Sequence, residues 1–186
     1  MASAFSHAVS AFGIGAAFSR PGMSKGVWVL GVACAIVPDV DVIGFHFGVH
    51  YQDFWGHRGF THSLLFAALL AVLVAVFGFQ DTGSSERRRL CLYFFLATAS
   101  HGLLDALTNG GLGVAFFSPF DTARYFLPWR PILVSPIGVA RFFSPRGLAI
   151  LQSEFVWIWL PSAVLAFFAR SLRGGARHPQ SAGGSK

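Results

Sequence analysis

SLLFAALLAVLVAVFGF, residues 63–79, runs for seventeen residues without a charge. A membrane-crossing helix needs about 17–25 predominantly apolar residues, so this stretch is long enough to be one. Working outward, LCLYFFLATASHGLLDALT at 90–108 reaches the same length but carries His101 and Asp105. Residues 2–19, 26–38 (GVWVLGVACAIVP) and 155–169 (FVWIWLPSAVLAFFA) are shorter or less apolar, and are expected to be tilted, partial or re-entrant. The period-two alternation of a membrane barrel is absent. The expected fold is all-α: a polytopic membrane bundle of four to five helices, with residues 1–173 as one domain and 174–186 as a disordered tail.

Composition agrees. Of 186 residues, 54% are apolar and 12% charged, where a soluble domain carries about 25% charged residues. That excludes intrinsic disorder and disfavours a water-soluble globule. The net charge of +6 reads as topology-setting Lys and Arg around apolar segments, with the lipid bilayer as partner and no nucleic acid. Cys34 and Cys91 lie in apolar runs and read as small core residues. The first charge, Arg20, follows the first apolar stretch, so a signal peptide is not expected there.

Arg20 and Lys25, then Arg87, Arg88 and Arg89, then Arg170, Arg173 and Arg177 fall on one side of an up-and-down threading. By the positive-inside tendency that side is the cytoplasm, and it holds the C-terminus. Applied to the ionisable residues, the same threading gathers His7, Asp39, Asp41, His57, His62, His101, Asp105 and Glu154 near the outer face. Plainer uses exist for each. Asp39 and Asp41 suit a turn after Pro38, and His101 and Asp105, four apart on one helix face, suit an interhelical hydrogen bond. His57 and His62 in HRGFTHS suit a loop, Thr61 or Ser63 suits a helix cap, and Glu154 suits the start of the last helix. Ionisable groups in apolar segments are costly, however, and usually functional.

Imidazole with carboxylate is a ligand set for a divalent metal, Zn²⁺ first and Mn²⁺ second, and so many ligands allow two ions. The expected metal residues are His7, Asp39, Asp41, His57, His62, His101 and Asp105. Asp39, Asp41 and Glu154 are candidate ligands or bases; the outer loops also hold Arg58, Arg124, Arg130, Arg141 and Arg146, of which Arg124 and Arg130, among aromatics, are the candidate phosphate holders. Three function classes compete. One is a hydrolase cleaving a phosphoester of an amphiphilic substrate. Another is a transporter or metal-handling protein using the same cluster, and the third is a scaffold without chemistry.

The residues also carry a resemblance. PDVD (38–41), GHRGFTHSLL (56–65), HGLLDALTNGG (101–111), SPF (118–120) and RYFLPWRPI (124–132) together resemble the YdjM-like family. That family is described as inner-membrane-associated metal-dependent hydrolases, some of them LexA-regulated. The likeness implies metal residues at Asp39, Asp41, His57, His62, His101 and Asp105, with His7 and Glu154 similar to family positions. Where some relatives read Pro-Asp-x-Asp-His, this chain has Val42. The ligand pattern is more distantly similar to zinc-dependent phospholipase C and related single-strand nucleases.

Overall fold

A computed structural model describes residues 1–137 and 142–175. Of the expected disordered tail, 174–186, the first two residues close the last helix, Leu160–Gly175; the rest, Arg177 included, lies with Arg141 outside the described residues. The described residues are all-helical, with no strand beyond two isolated bridges, Thr108–Ile132 and Val114–Tyr125. The helices are α1 (Ala4–Phe18), α2 (Lys25–Ile36), α3 (Leu64–Gly78), α4 (Ser84–Ala106), α5 (Pro145–Glu154) and α6 (Leu160–Gly175). A π-helical turn, Phe155–Trp159, joins α5 and α6 into one rod.

Local sequence sets these boundaries. The Ser3 side chain accepts the Ser6 N–H at the start of α1, and Ser63 accepts the Phe66 N–H at 3.0 Å to cap α3. Each satisfies a donor that the first helical turn leaves unpaired. Ser144 caps α5, with Pro145 at its first position, where a missing N–H costs nothing. Past Ile36, α2 tightens into a 3₁₀ stretch, Val37–Phe47, which begins with Pro38 and ends at Gly48 with φ 81°.

α4 is the central helix and packs on α1, α2 and α3, while α1 also packs on α2 and α6. Small residues permit the close approach. Ala67, Ala71 and Ala75 form the buried stripe of α3. Gly31 on α2 lies so near Tyr93 that an added Cβ would sit 2.0 Å from the phenol oxygen. Tyr93, Phe94 and Ala97 anchor the core with Ala11, Cys34, Ala35 and Ala71. Cys34 is buried, and both cysteines are free thiols.

Length and charge together change which apolar segments qualify as spans. Lys25–Phe47, of 23 residues and mean hydropathy 1.9, and Pro145–Arg173, of 29 residues and mean hydropathy 1.6, are the two described helices long and apolar enough to cross a bilayer. α3 has 15 residues, about 22 Å against a hydrocarbon core of about 30 Å. α4 carries Glu86, Arg87, Arg88, Arg89 and Asp105. The two borderline segments gained their length from residues that hydropathy does not register: the 3₁₀ extension of α2 and the polar opening of α5, PRGLAILQSE. Glu154 therefore ends α5 and does not begin the last helix. Apolar side chains face outward on α3 (Leu69, Val72, Leu73, Phe77) and on α6 (Val164, Phe167, Phe168, Leu172). Such a surface is suited to lipid and not to water.

The helices alternate in direction, so the start of α1, the end of α2, the start of α3 and the end of α4 share one end of the bundle. Arg20 meets Glu86 at 3.2 Å at the opposite end, where the Arg173 guanidinium donates to Ser19 and Ala16.

Candidate metal centre

The shared end of the bundle buries the ionisable residues that sequence singled out. α1 supplies His7, the 3₁₀ stretch after α2 supplies Asp39 and Asp41, the loop before α3 supplies His57 and His62, and α4 supplies His101 and Asp105. His7, His57, His101, Asp105 and Glu154 are fully buried.

Two groups emerge. In the first, Asp39, His62, His101 and Asp105 each place a ligand atom within 4.8 Å of the others. His62 Nε2 and His101 Nε2 stand 3.0 Å apart. Asp39 Oδ1 lies 3.3 Å from His101 Nε2 and 3.8 Å from His62 Nε2, and Asp105 Oδ2 lies 3.7 Å from His62 Nε2. Four ligands at about 2.0–2.1 Å from a tetrahedral ion stand about 3.3 Å from one another, so these separations fit. His101 Nδ1 faces the Ala35 carbonyl at 2.7 Å. A carbonyl only accepts, so Nδ1 carries the proton and Nε2 presents its lone pair to the centre.

The second group is Asp41, His57 and His62, and here the polar atoms already meet one another. Asp41 Oδ1 accepts from His57 Nδ1 at 2.8 Å. Asp41 Oδ2 accepts the Thr61 hydroxyl at 2.7 Å and faces His62 Nδ1 at 3.3 Å. Asp41 thus engages His57 at Nδ1 directly and His62 at Nδ1 through Thr61 Oγ1, 3.0 Å from it, which turns both Nε2 atoms inward, as a carboxylate behind a metal-ligating histidine does. Burial pushes the His57 pKa down, against Asp41. Burial also opposes the charge on His62, but the Asp39 and Asp41 carboxylates, 3.8 and 3.3 Å from its ring nitrogens, outweigh it and raise the pKa to about 9. Carboxylates that attract a proton this strongly attract a cation too.

Orphaned atoms mark the same place. Both oxygens of Asp39, both ring nitrogens of His7 and Nε2 of His57 are buried without a hydrogen-bond partner. Buried polar groups are nearly always paired. A proton between His62 and His101 would satisfy that contact alone; a divalent ion would also satisfy Asp39. Charge points the same way. The buried side chains include four carboxylates, Asp39, Asp41, Asp105 and Glu154, against one buried guanidinium, Arg58. The donor set therefore fits a divalent metal.

Arg58 is the residue that sequence reasoning did not assign to the site. It counted as one of several outer-loop arginines, yet it is fully buried. Its Nε donates to Asp105 Oδ2 at 3.0 Å and its Nη2 to Thr108 Oγ1 at 2.9 Å. Nη1 donates to the Gly110 and Leu112 carbonyls at 3.0 and 2.6 Å. Its backbone has φ 65°, a conformation that costs a non-glycine residue about 1 kcal/mol or more. The signal available in sequence was its position between two histidines in HRGFTHS.

The remaining expected residues are placed as follows. His7 stacks on His101 with ring centroids 3.7 Å apart, and its Nε2 lies 3.6 Å from Asp105 Oδ1. Asp105 Oδ1 also accepts the Ala2 N–H at 2.7 Å. Glu154 accepts from the Ser3 N–H and hydroxyl, each at 2.5 Å, and from the Ser6 hydroxyl at 2.8 Å. It thereby ties α1 to the π turn. Arg124 donates to the backbone carbonyls of His57, Tyr51 and Asp53 at 2.9, 3.0 and 3.2 Å, supporting the loop that carries His57. Arg130 lies over the Phe126 ring at 4.6 Å and is exposed. Arg146 is also exposed.

With this geometry in place, comparison with known proteins is informative. The profile of the YdjM inner membrane protein family matches residues 1–176. The chain belongs to that family. It is also 40% identical over 135 residues to the Inner membrane protein YbcI of Escherichia coli (strain K12), a match covering 73% of this chain and 78% of YbcI. No solved structure matches. Membership of the YdjM family identifies an inner membrane protein, and it agrees with the outward-facing apolar surfaces of α3 and α6.

Proposed function

We propose that the chain is a membrane-bound, metal-dependent hydrolase acting on a phosphoester of an amphiphilic, lipid-like substrate. The observation that carries this reading is the contact between two imidazole Nε2 atoms at 3.0 Å, beside an Asp39 carboxylate with no hydrogen-bond partner. Asp39, His62, His101 and Asp105 would hold the ion, with zinc first for this mixed nitrogen and oxygen set and manganese second. When bound, such an ion supplies a water of lowered pKa and a Lewis acid for a phosphoryl oxygen.

The chain's own residues do the rest. Asp41 fixes the tautomers of His57 and His62. Arg58 holds Asp105 Oδ2 and keeps that carboxylate turned toward the cluster. His7, stacked on His101 with both nitrogens unbonded, is the group placed to take up or return a proton at Nε2. The second group, bonded within itself through Asp41, supports the first in this reading, so one ion suffices. The described basic clusters lie at the opposite end of the bundle from the site, which with the positive-inside tendency supports a cytoplasmic C-terminus and a site at the outer face.

The test is metal analysis of purified protein followed by hydrolysis assays. About one divalent ion per chain is expected, with phosphoester cleavage that stops on chelation, returns with Zn²⁺ and is absent in Asp39→Asn. If metal-replete protein cleaves neither lipid nor soluble phosphoesters, but moves Zn²⁺ across proteoliposomes in a His101-dependent way, the hydrolase reading gives way to transport.

A further inference from the structure

A cavity of about 380 Å³ lies beside the cluster, lined mainly by Ala4, Phe5, Val42, Pro136, Phe142 and Phe143. Met1, Ser3 and Ser135 complete the lining, and no Asp, Glu, Lys, Arg or His side chain belongs to it among the described residues. Its walls belong to the same short segments that hold the site. Val42 follows Asp41 directly in the chain. The Ala2 N–H bonds Asp105 at 2.7 Å, and Ser3, which also lines the cavity, bonds Glu154. Phe5 and Phe142 face each other with centroids 6.2 Å apart, and Phe142 meets Phe143 at 6.0 Å. Phe5 is 61% exposed and Phe143 78% exposed, so the rim is as apolar as the walls.

Water is a poor occupant. A well-held water needs two to four polar partners, and these walls offer few. Nor would the walls suit a small soluble phosphate, since they offer it no cationic side chain and the only amine beside them, that of Met1, is buried against the carboxylates Asp105 and Glu154. What fits is hydrocarbon, and an inner membrane surrounds the protein with it. At roughly 30 Å³ for each water-sized group, the space takes about a dozen methylenes. A phosphate bound at the cluster and a hydrocarbon chain in the cavity would be adjacent parts of one molecule, because Val42 of the wall follows Asp41 of the cluster and Ser3 of the wall follows Ala2, whose N–H bonds Asp105.

The geometry points to this cavity as the seat for one alkyl or acyl chain of the substrate, directly beside the metal centre. The inference rests on the hydrolase reading and gives its substrate class a structural basis: a single-chain anchor selected at the site itself, in addition to the bilayer's general affinity for amphiphiles. It also gives Val42 a use as a wall of the seat.

The experiment uses full-length protein in nanodiscs, loaded with Mn²⁺, with paramagnetic broadening of the phosphate ³¹P signal reporting binding at the ion. The probes are methyl phosphate and dodecyl phosphate. In the unaltered protein both should be broadened, with dodecyl phosphate effective at far lower concentration. Val42→Trp, which fills the cavity, should weaken dodecyl phosphate at least tenfold and leave methyl phosphate within twofold. Phe143→Ala, at an exposed position that threatens the fold little, should shift the same way. Leu92→Trp, on the outer surface of α4, should change neither and controls for partition into the bilayer. If the methyl phosphate signal responds but neither Val42→Trp nor Phe143→Ala weakens dodecyl phosphate, the seat is elsewhere and the hydrolase reading stands. If methyl phosphate is never broadened by the bound ion, the hydrolase reading itself fails and takes this inference with it.

Discussion

Asp41→Asn separates a metal ligand from a residue that aims ligands. Asp41 Oδ1 receives the His57 Nδ1 proton at 2.8 Å, while Oδ2 receives the Thr61 hydroxyl at 2.7 Å and faces His62 Nδ1 at 3.3 Å. Asparagine keeps one acceptor oxygen and replaces the other with an NH₂ donor. If the oxygen stays with His57, the NH₂ confronts Thr61 and His62. The threonine hydroxyl can rotate and accept. His62 Nδ1 then keeps its proton only through Thr61 Oγ1, 3.0 Å away; wherever it accepts from the NH₂ instead, its proton moves to Nε2. That nitrogen is the one 3.0 Å from His101 Nε2, so the lone pair meant for the ion is lost. Loss of such an outer partner costs about 10–100-fold in metal affinity, or about 1.4–2.8 kcal/mol. Asp39→Asn removes a direct ligand and should abolish tight binding. The assay is competition for Zn²⁺ against a chromophoric chelator, with both variants and the unaltered protein in the same detergent. A loss in Asp41→Asn equal to that in Asp39→Asn would make Asp41 a ligand and refute the division into two groups. No loss at all would remove Asp41 from the site.

Two further outcomes follow from the packing. Arg58→Lys keeps a positive charge for Asp105 but cannot also reach Gly110, Leu112 and Thr108, because an ammonium lacks the planar fork. Loss of three hydrogen bonds, one at the buried Thr108 hydroxyl and two at part-buried carbonyls, at about 1 kcal/mol each, should lower the thermal midpoint by about 6–12 °C at roughly 2–4 °C per kcal/mol; a shift under about 2 °C in a detergent melt would show that water replaces the fork. Gly31→Ala puts a methyl group 2.0 Å from the Tyr93 phenol oxygen, an overpacking worth about 1–3 kcal/mol. Combined with Tyr93→Leu, which removes the obstacle, the loss should fall short of the sum of the single losses by about 1 kcal/mol, and strict additivity in the same melts would mean that α2 and α4 separate freely.

The helical class and most of the cluster were legible because their signals are local. A long uncharged run identifies a helix by itself, and an ionisable side chain inside such a run stands out because hydrocarbon makes it costly. His101 and Asp105 announce their shared face through a spacing of four. Arg58 has no local signal of that kind. Its four acceptors lie 47 to 54 positions further along the chain, and two of them are backbone carbonyls, which every residue possesses. Read by charge alone, it was indistinguishable from the arginines that set topology. Arg124 escaped for a related reason: three carbonyl partners give a guanidinium no sequence signature that separates it from one awaiting a phosphate. Helix length failed in the opposite way. Hydropathy saw the apolar centres of the second and fifth segments and missed their polar continuations, although Pro145 after Ser144 carried an ordinary helix-start signal. The misplacement of Glu154 follows from that error. Setting its helix ten residues too late made it a capping residue, whereas at the α5–π junction it receives Ser3 and Ser6 from α1 and helps set the position of His7, one residue beyond Ser6. Backbone carbonyls and helix register, which composition does not encode, thus decide which charged residues support the cluster and which compose it.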